Sequence, residues 1–401
     1  MFVASLPLSI SGAEIALGVL LALAAAALAT GGTRWVGTPL DRPLLAFLAV
    51  LVVSTLAGGP TRGALEAYRN LWVVGVYGVG VVLMDDAAHA NRLVRLLVLT
   101  AAAVAAYGIV QHFTGIDLYR TLAGREIQIK PYEYDATRFA VIGFFPSYLT
   151  FAHSMLIPLG FAVAAAIRPQ PGLLGRTLAA ASALLMAVAV VLSTARGAWL
   201  AAGALLLAAA LRVRWRVWLA VLAVACGVAA VLVLAVPGLR KEGRSMMDRG
   251  ANAGRLEIYA ANLELVRDHP LLGVGFGNYR RAARAYYENH PRADRRSHAH
   301  NTFLQIAAEA GAAGLAAFCY LVGSILVGGW KLLRRAATGV PEVWAPAAGA
   351  WLGVVAFLVG GLTQHTFGDS ECVMPFWFAA AVLTVLERQV NAGGRVAHPA
   401  R

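Results

Sequence analysis

Long apolar stretches alternate with short polar ones along almost the whole chain. A helix needs roughly 17 to 25 apolar residues to cross the hydrocarbon core of a bilayer. Eleven stretches approach or exceed this length, near residues 12–30, 41–57, 67–84, 92–111, 145–167, 173–193, 197–212, 215–236, 302–334, 344–364 and 372–388. Residues 1–10 form an apolar stub that is too short to cross alone and would belong to a twelfth helix. The pattern predicts an all-α polytopic membrane protein with about 11–12 transmembrane helices.

The composition agrees with this pattern. Hydrophobic residues make up 59% of the chain and charged residues 14%, whereas soluble domains have about 25% charged residues. The chain lacks a basic start, and its first long apolar run continues into others, so we predict no signal peptide. The cysteines Cys226, Cys319 and Cys372 lie in or beside apolar helices without motif spacing. We therefore predict buried thiols and no disulfide framework.

The distribution of charge among the short loops predicts the orientation. Lys and Arg concentrate in and around one set of loops (31–40, 85–91, 168–172, 213–214 and 335–343) and in the C-terminal tail. The opposite short loops carry only Arg62, Arg69 and Arg196. Because positive charge favours the cytoplasmic side, the first set should be cytoplasmic. The long polar segments 112–146 and 237–301 then face outside, and an odd number of spans places the N-terminus outside.

These boundaries divide the chain into four parts. They are an N-terminal transmembrane bundle (1–236) with the external loop 112–146, a large basic external segment (237–301), C-terminal transmembrane helices (302–388) and a cytoplasmic tail (389–401). The segment 237–301 contains twelve Lys or Arg and seven Asp or Glu. Such a surface attracts lipid headgroups, phosphorylated glycolipids or a lipid-linked pyrophosphate. Unspecific contact with membrane lipids is the alternative. We expect no nucleic acid on this external surface.

Within the basic segment, two stretches have the apolar spacing of amphipathic helices, 254–269 and 278–290. Between them lies the sequence HPLLGVGFG, which ends in three alternating glycines (Gly273, Gly275 and Gly277). Because no strand precedes these glycines, a nucleotide-binding loop is not expected. We predict a tight turn between two helices.

The sequence His298-Ala-His300-Asn301 joins the basic segment to an apolar helix. An imidazole at the first turn of a helix can act as an acid or base near neutral pH. The alternative for His300 is a structural or capping role. A zinc site using His290, His298, His300 and Asp294 lacks a fixed ligand set and is surrounded by arginines, so we predict no metal and no cofactor. The external segments also lack an Asp-x-Asp pair for Mg²⁺.

Three further charged residues lie in short external turns. Arg196 is the only charge in the turn STARGAWL (193–200), and a guanidinium at the membrane edge can bind phosphate through two hydrogen bonds. The alternative is contact with lipid headgroups. Arg69 could join the same site or anchor its helix at the interface. Asp369, in the turn QHTFGDSE (364–371), could orient a histidine or an arginine.

Three motifs in this order resemble the bacterial O-antigen ligase/polymerase superfamily. They are Arg196 and Leu200 as Arg-x-x-x-Leu, Gly254-Arg255 at an amphipathic helix that leads into HPLLGVGFGNY, and His300-Asn301 followed after nine residues by Gly311-x-x-Gly314. The resemblance covers roughly 190–320 in motif and the whole chain in topology. It implies a GT-C-like glycosyltransferase with Arg196, Arg255 and His300 as catalytic residues. Arg69, His298, Asn301 and Asp369 are the candidates for substrate binding.

The resemblance implies an inner-membrane O-antigen ligase with a periplasmic active site. It would transfer a polysaccharide from undecaprenyl diphosphate to a sugar hydroxyl of lipid A–core without a metal, inverting the anomeric centre. An O-antigen polymerase or a protein O-oligosaccharyltransferase of the same superfamily is the alternative. The alternative of another class is a transporter or flippase, but its polar groups should lie near mid-membrane, and here they collect at one face. The sequence leaves the oligomeric state open.

Overall fold

The computed structural model describes residues 1–124, 126, 129–132, 135–170, 172–210, 227, 249–293, 298–337 and 341–396. Almost all of its regular structure is helical, and we number the described helices α1–α16. They are α1 (Phe2–Ser5), α2 (Ile10–Ala29), α3 (Asp41–Gly58), α4 (Arg62–Asn70), α5 (Gly75–Leu83), α6 (Ala87–Thr114), α7 (Leu118–Leu122), α8 (Tyr148–Ser154), α9 (Leu156–Ile167), α10 (Arg176–Leu192), α11 (Arg196–Ala210), α12 (Arg249–Asp268), α13 (Tyr279–Tyr287), α14 (Thr302–Ala336), α15 (Pro341–Gly360) and α16 (Ser370–Val396). Short 3-10 helices occupy Leu71–Val74 and Thr366–Gly368.

Seven segments in the described residues are long and apolar enough to cross a membrane. They are Ile10–Ala29, Asp41–Gly58, Ala87–Thr114, Tyr148–Ile167, Thr302–Ala336, Glu342–Gly360 and Ser370–Ala392. Two shorter apolar helices, α10 and α11, follow the same pattern. The predicted class, an all-α polytopic membrane protein, is confirmed. Of the predicted spans, 215–236 lies outside the described residues apart from Gly227.

Two predicted spans differ from continuous helices. The stretch predicted at 67–84 begins within α4 and continues as a 3-10 turn and α5. The charges of Arg62, Glu66 and Arg69 make α4 too polar to continue an apolar span. The long helix α14 is interrupted at Gly311, where φ is +63° and ψ is −162°. Gly311 has no Cβ and adopts this backbone without a steric penalty.

A turn inserted beside the break in α14 satisfies the backbone groups that the break releases. The amides of Ala312 and Ala313 donate to the carbonyls of Pro270 and Leu271, and the amides of Val274 and Gly275 donate to Ala308 and Glu309. The predicted tight turn at 269–277 is therefore confirmed. It also packs into the bundle, because an added Cβ on Gly311 would lie 2.3 Å from the Leu271 carbonyl.

The described residues of loop 112–146 include α7 and two short antiparallel strands, β1 (Pro131–Tyr132) and β2 (Asp135–Phe139). The pairing joins Pro131 to Phe139 and Tyr132 to Asp135. The Gln111 side chain exchanges two hydrogen bonds with the backbone of Gly143, at 3.1 and 2.8 Å. The loop is thereby fastened to the end of α6.

The two predicted amphipathic helices also form, as α12 and α13. Their apolar faces make a small separate core that includes Ile258, Leu265, Tyr279 and Tyr287. The same core contains Ala308 from the first part of α14. Residues 249–293 of the basic segment thus form a helical pair that rests on the end of the bundle where α14 begins.

Candidate functional site

The loop between α15 and α16 (residues 361–369) connects the elements that carry the candidate residues. The amide of Thr302, the first residue of α14, donates to the carbonyl of Gly361 at 2.7 Å. The Thr302 hydroxyl donates to the carbonyl of Gln364 at 3.2 Å and accepts from the amide of Thr366 at 3.1 Å. These bonds fix the start of α14, and with it His300 and Asn301, against this loop.

His300 is buried and is held by a side chain of the loop. Its Nδ1 lies 3.0 Å from Oε1 of Gln364. With the amide oxygen as acceptor, Nδ1 carries the proton and Nε2 holds the basic lone pair. The amide of His300 donates to Nδ1 of His298 at 3.3 Å. This arrangement places His300 in the correct tautomer for a general base.

The backbone around His300 is shaped by its neighbours. His300 has φ of +51°, in the left-handed region that residues other than glycine seldom adopt. The side chain of Gln305 accepts a hydrogen bond from the amide of Ala299 at 2.8 Å. Asn301 is the N-cap of α14, because its Oδ1 accepts from the amide of Leu304 at 3.0 Å. Asn301, a candidate for substrate binding, thus has a clear structural role.

Three imidazoles gather at this point. The ring centroid of His298 lies 4.3 Å from that of His300 and 6.1 Å from that of His365. Burial, together with the neighbouring imidazoles of His298 and His300, lowers the pKa of His365 to about 3. In the part of the chain that the structure describes, no group of three or more His, Cys, Asp or Glu could hold a metal ion.

Arg196 begins α11 directly beside the same loop. The turn before it is tight: Thr194 has φ of +62°, and the Ser193 hydroxyl donates to the carbonyl of Val190 at 2.6 Å. The next residue, Gly197, lies so close to Thr363 that an added Cβ would overlap its hydroxyl. This contact places the half-buried Arg196 next to the segment that holds His300 through Gln364.

Arg255 approaches from the other side, on α12. Tyr259 lies one helical turn further along, and its hydroxyl is 3.2 Å from the carbonyl oxygen of His300 and 3.1 Å from that of Leu362. Burial raises the pKa of Tyr259, and the charge of Arg255 opposes this rise. Tyr259 therefore joins α12 to both His300 and the loop, and Arg255 lies on the part of α12 that faces them.

Asp369 and the segment around Arg69 contact other parts of the chain. Asp369 accepts from the Thr150 hydroxyl at 2.9 Å and from the amide of Glu371 at 3.2 Å. The side chain that orients His300 is therefore Gln364. Arg69 is exposed on α4, whose Tyr68 packs on Phe276 at 5.3 Å. Arg69 thus lies by the turn 269–277.

Gln364 and Tyr259 were not predicted as site residues. Gln364 lies in the polar turn that suggested Asp369, but nothing in its spacing relates it to His300, 64 positions earlier. The sequence gives a weak indication for Tyr259, because it follows Arg255 by four residues and so lies on the same face of the helix.

Residues 181–319 match the O-antigen ligase family. This match covers about a third of the chain and supports an assignment to the O-antigen ligase family. The resemblance predicted from the three motifs is confirmed, and the matched region contains Arg196, Arg255 and His300. A comparison with curated proteins gives no significant match. The match supports a glycosyltransferase-like enzyme of the O-antigen ligase or polymerase type. It also suggests lipid-linked polysaccharides as substrates, which suits a site at one end of a membrane bundle.

Proposed function

We propose that the chain is an inner-membrane O-antigen ligase. Its donor is a polysaccharide on undecaprenyl diphosphate, and its acceptor is a sugar hydroxyl of lipid A–core. The observation that carries the proposal is that α11 through Gly197, α12 through Tyr259, and His300 all contact the loop 361–369. Arg196 begins α11 and Arg255 lies one turn before Tyr259 on α12, so the same elements carry two positive charges and one base.

The proposed reaction is a single displacement. His300 Nε2 accepts the proton of the acceptor hydroxyl while its oxygen attacks the anomeric carbon. The bond from that carbon to the diphosphate oxygen breaks, and undecaprenyl diphosphate leaves with the electron pair. One displacement inverts the anomeric centre. The proton on His300 then passes to water, which restores the base.

Arg196 and Arg255 stabilise the negative charge that grows on the diphosphate as it departs. Fixed cations act most strongly where charge develops, in a site with little water. A guanidinium can also hold phosphate oxygens through paired hydrogen bonds. The proposal therefore assigns charge neutralisation to arginine, and the reaction needs no nucleotide because the diphosphate bond supplies the free energy.

The proposed topology places loop 361–369 and the helical pair α12–α13 on the periplasmic side. Support comes from the excess of Lys and Arg in the opposite set of short loops. Both substrates are anchored in the membrane, so a site at the end of the bundle can reach both of them.

One observation favours a transporter as a second candidate. The break at Gly311 lies beside Glu309, a buried carboxyl group, and transporters use broken helices of this kind to bind their substrates. In this structure, however, Glu309 accepts hydrogen bonds from Gln305 and from the backbone of Gly277 and Tyr279. The inserted turn 269–277 also occupies the break. These contacts favour a structural role for the break.

The test is transfer by the purified protein. We would incubate it with undecaprenyl-diphosphate glycan and lipid A–core, with EDTA and without nucleotide. We expect a shifted lipopolysaccharide ladder that is lost in Arg196→Ala and Arg255→Ala and kept in Arg280→Ala, an exposed arginine of α13. Longer chains on the lipid carrier without transfer to core would instead mean a polymerase. Absence of both products from folded protein would contradict the proposal and favour the transporter.

A further inference from the structure

A cavity of about 260 Å³ lies at the same end of the bundle as loop 361–369. Its walls are the linker between α1 and α2 (residues 6–9), the first two residues of α2 (10–11), the helix α7, the segment 144–146 and Glu371. Glu371 also connects the cavity to the candidate site, since its amide donates to Asp369. The cavity thus lies beside the loop that holds His300, at the far end of that loop.

The charges around the cavity do not favour an anion. Its one cationic side chain is Arg120, whose guanidinium is bound to the buried carboxylate of Asp117 at 2.5 Å and donates to the carbonyl of Phe145 at 2.7 Å. The positive charge of Arg120 is therefore already compensated. Glu371 adds a carboxyl group to the wall, which can exchange hydrogen bonds with hydroxyl groups.

An aromatic surface forms the opposite part of the wall. The rings of Tyr119 and Phe144 meet edge to face at 5.4 Å. Phe144 also stacks on Tyr107 at 4.8 Å. The Tyr107 hydroxyl accepts from the amide of Tyr119 and donates to Asp117, both at 3.2 Å. The aromatic groups are therefore fixed in place before any ligand binds.

We propose that this cavity binds a neutral sugar ring of a glycan substrate. A pyranose has an apolar face of C–H groups and a rim of hydroxyls, so it matches a wall with one aromatic side and a few polar groups. That the sugar belongs to a glycan substrate rests on the proposed function. The size, charge and lining of the cavity are observed independently of that function. The sugar could belong to the acceptor core or to the donor polysaccharide, and the shared chemistry is a neutral ring.

The test measures binding directly and needs no transfer. Saturation-transfer NMR would be recorded on the purified full-length protein with the methyl glycosides of glucose, galactose and mannose. We expect at least one of them to bind, and Tyr119→Leu to weaken that binding roughly tenfold, or about 1.4 kcal/mol, because the aromatic contact is lost. Tyr119→Phe keeps the ring and should bind like the natural protein.

Two further variants act as controls. Leu122→Ala changes an exposed residue of the same short helix outside the cavity and should leave binding unchanged. Arg196→Ala should also leave it unchanged, because the transfer site is separate. If transfer failed and glycoside binding persisted, the proposed reaction would be wrong and the sugar site would stand.

Competition identifies the source of the sugar. Either delipidated core oligosaccharide or glycan released from the donor should displace the bound methyl glycoside. The oligosaccharide that displaces it identifies the substrate to which the sugar ring belongs. Several results would overturn the proposal: no binding of any glycoside, equal binding to Tyr119→Leu, displacement by neither oligosaccharide, or tighter binding of glucose 6-phosphate than of methyl glucoside. Loss of binding in Arg196→Ala would overturn it as well, because the signal would then arise from the transfer site.

Discussion

The two ends of one motif, His300-Asn301 and Gly311-x-x-Gly314, lie just before α14 and at the break within it, and they are built in different ways. At the first end, side chains converge: Gln364 holds the His300 ring and Thr302 ties the helix to loop 361–369. At the second end, the absence of a side chain matters, because the backbone of Gly311 lies against Leu271. One motif can therefore specify both a candidate reactive side chain, His300, and a glycine, Gly311, that lets the neighbouring turn pack against the same helix.

The two ends also respond to different forces. The position of His300 depends on a few hydrogen bonds whose loss would leave the helix in place. The position of Gly311 depends on close backbone contact, where any added atom must displace the turn 269–277. Variants at the first end should therefore change activity at constant stability, and variants at the second should change stability first.

The largest effect is expected for His300→Ala. Loss of a general base should lower the rate of transfer by roughly 10²- to 10⁴-fold, while the thermal unfolding midpoint stays close to that of the natural protein. The measurement is the initial rate of lipopolysaccharide formation together with a melting curve in detergent. His269→Ala, at an exposed position, is the matched control. Full activity of the His300 variant would remove this residue from the mechanism.

The next largest effect is expected for Gly311→Ala. The new Cβ would lie 2.3 Å from the Leu271 carbonyl, at a φ of +63°, so we expect a loss of about 3 kcal/mol in the free energy of unfolding. Gly328→Ala is the control in the same helix, where an added Cβ meets nothing within 4 Å. The measurement is denaturant unfolding in detergent. Equal stability of the two variants would show that the break tolerates a side chain.

A smaller effect is expected at Gln364. Gln364→Ala removes the partner of His300 Nδ1 and should lower the rate of transfer about tenfold. Gln364→Glu places a carboxylate there, which stabilises the protonated imidazole. The base then needs a higher pH to become neutral, so the acid limb of the pH–rate profile should move up by about one unit. Identical profiles for both variants and the natural protein would show that Gln364 does not position His300.

The smallest effect is expected from the pH dependence of stability at His365. Its pKa is lowered to about 3 in the folded chain, against about 6.5 when unfolded. Between these values the unfolded state binds more protons, so stability rises with pH and is lost as the pH falls below about 6.5. His365→Gln should reduce the fall in melting temperature between about pH 7.5 and pH 5. His269→Gln should keep the full fall, and an unchanged slope in His365→Gln would contradict the assignment.

Much of the fold follows from apolar stretches, because a helix inside a bilayer must satisfy its own backbone and needs a minimum length. The same reasoning missed the break in α14. A glycine in an Ala-rich helix is ordinarily tolerated, and the partner of Gly311 is Leu271, 40 positions away in sequence. The charged helix α4, which overlaps the start of the predicted span 67–84, was also missed, because apolar residues follow it directly.

The site was predictable in its residue types but not in its contacts. Arg196, Arg255 and His300 were identified by motif, and the elements that carry them contact loop 361–369 through Gly197, Tyr259 and His300 itself. The bonds from Gln364 and Tyr259 to His300 connect segments separated by 64 and 41 residues. No periodic pattern encodes such pairs, since they depend on how the helices pack.

Among the described residues other than glycine, Thr194 and His300 alone have positive φ. One is a candidate catalytic residue and the other precedes Arg196 by two positions. Each costs the folded state on the order of 1–3 kcal/mol, and glycine would adopt the same backbone freely. A variant selected only for heat resistance would therefore tend to place glycine at these two positions. At position 300 it would gain stability and lose the imidazole, so thermostability and catalysis oppose each other at the same residue.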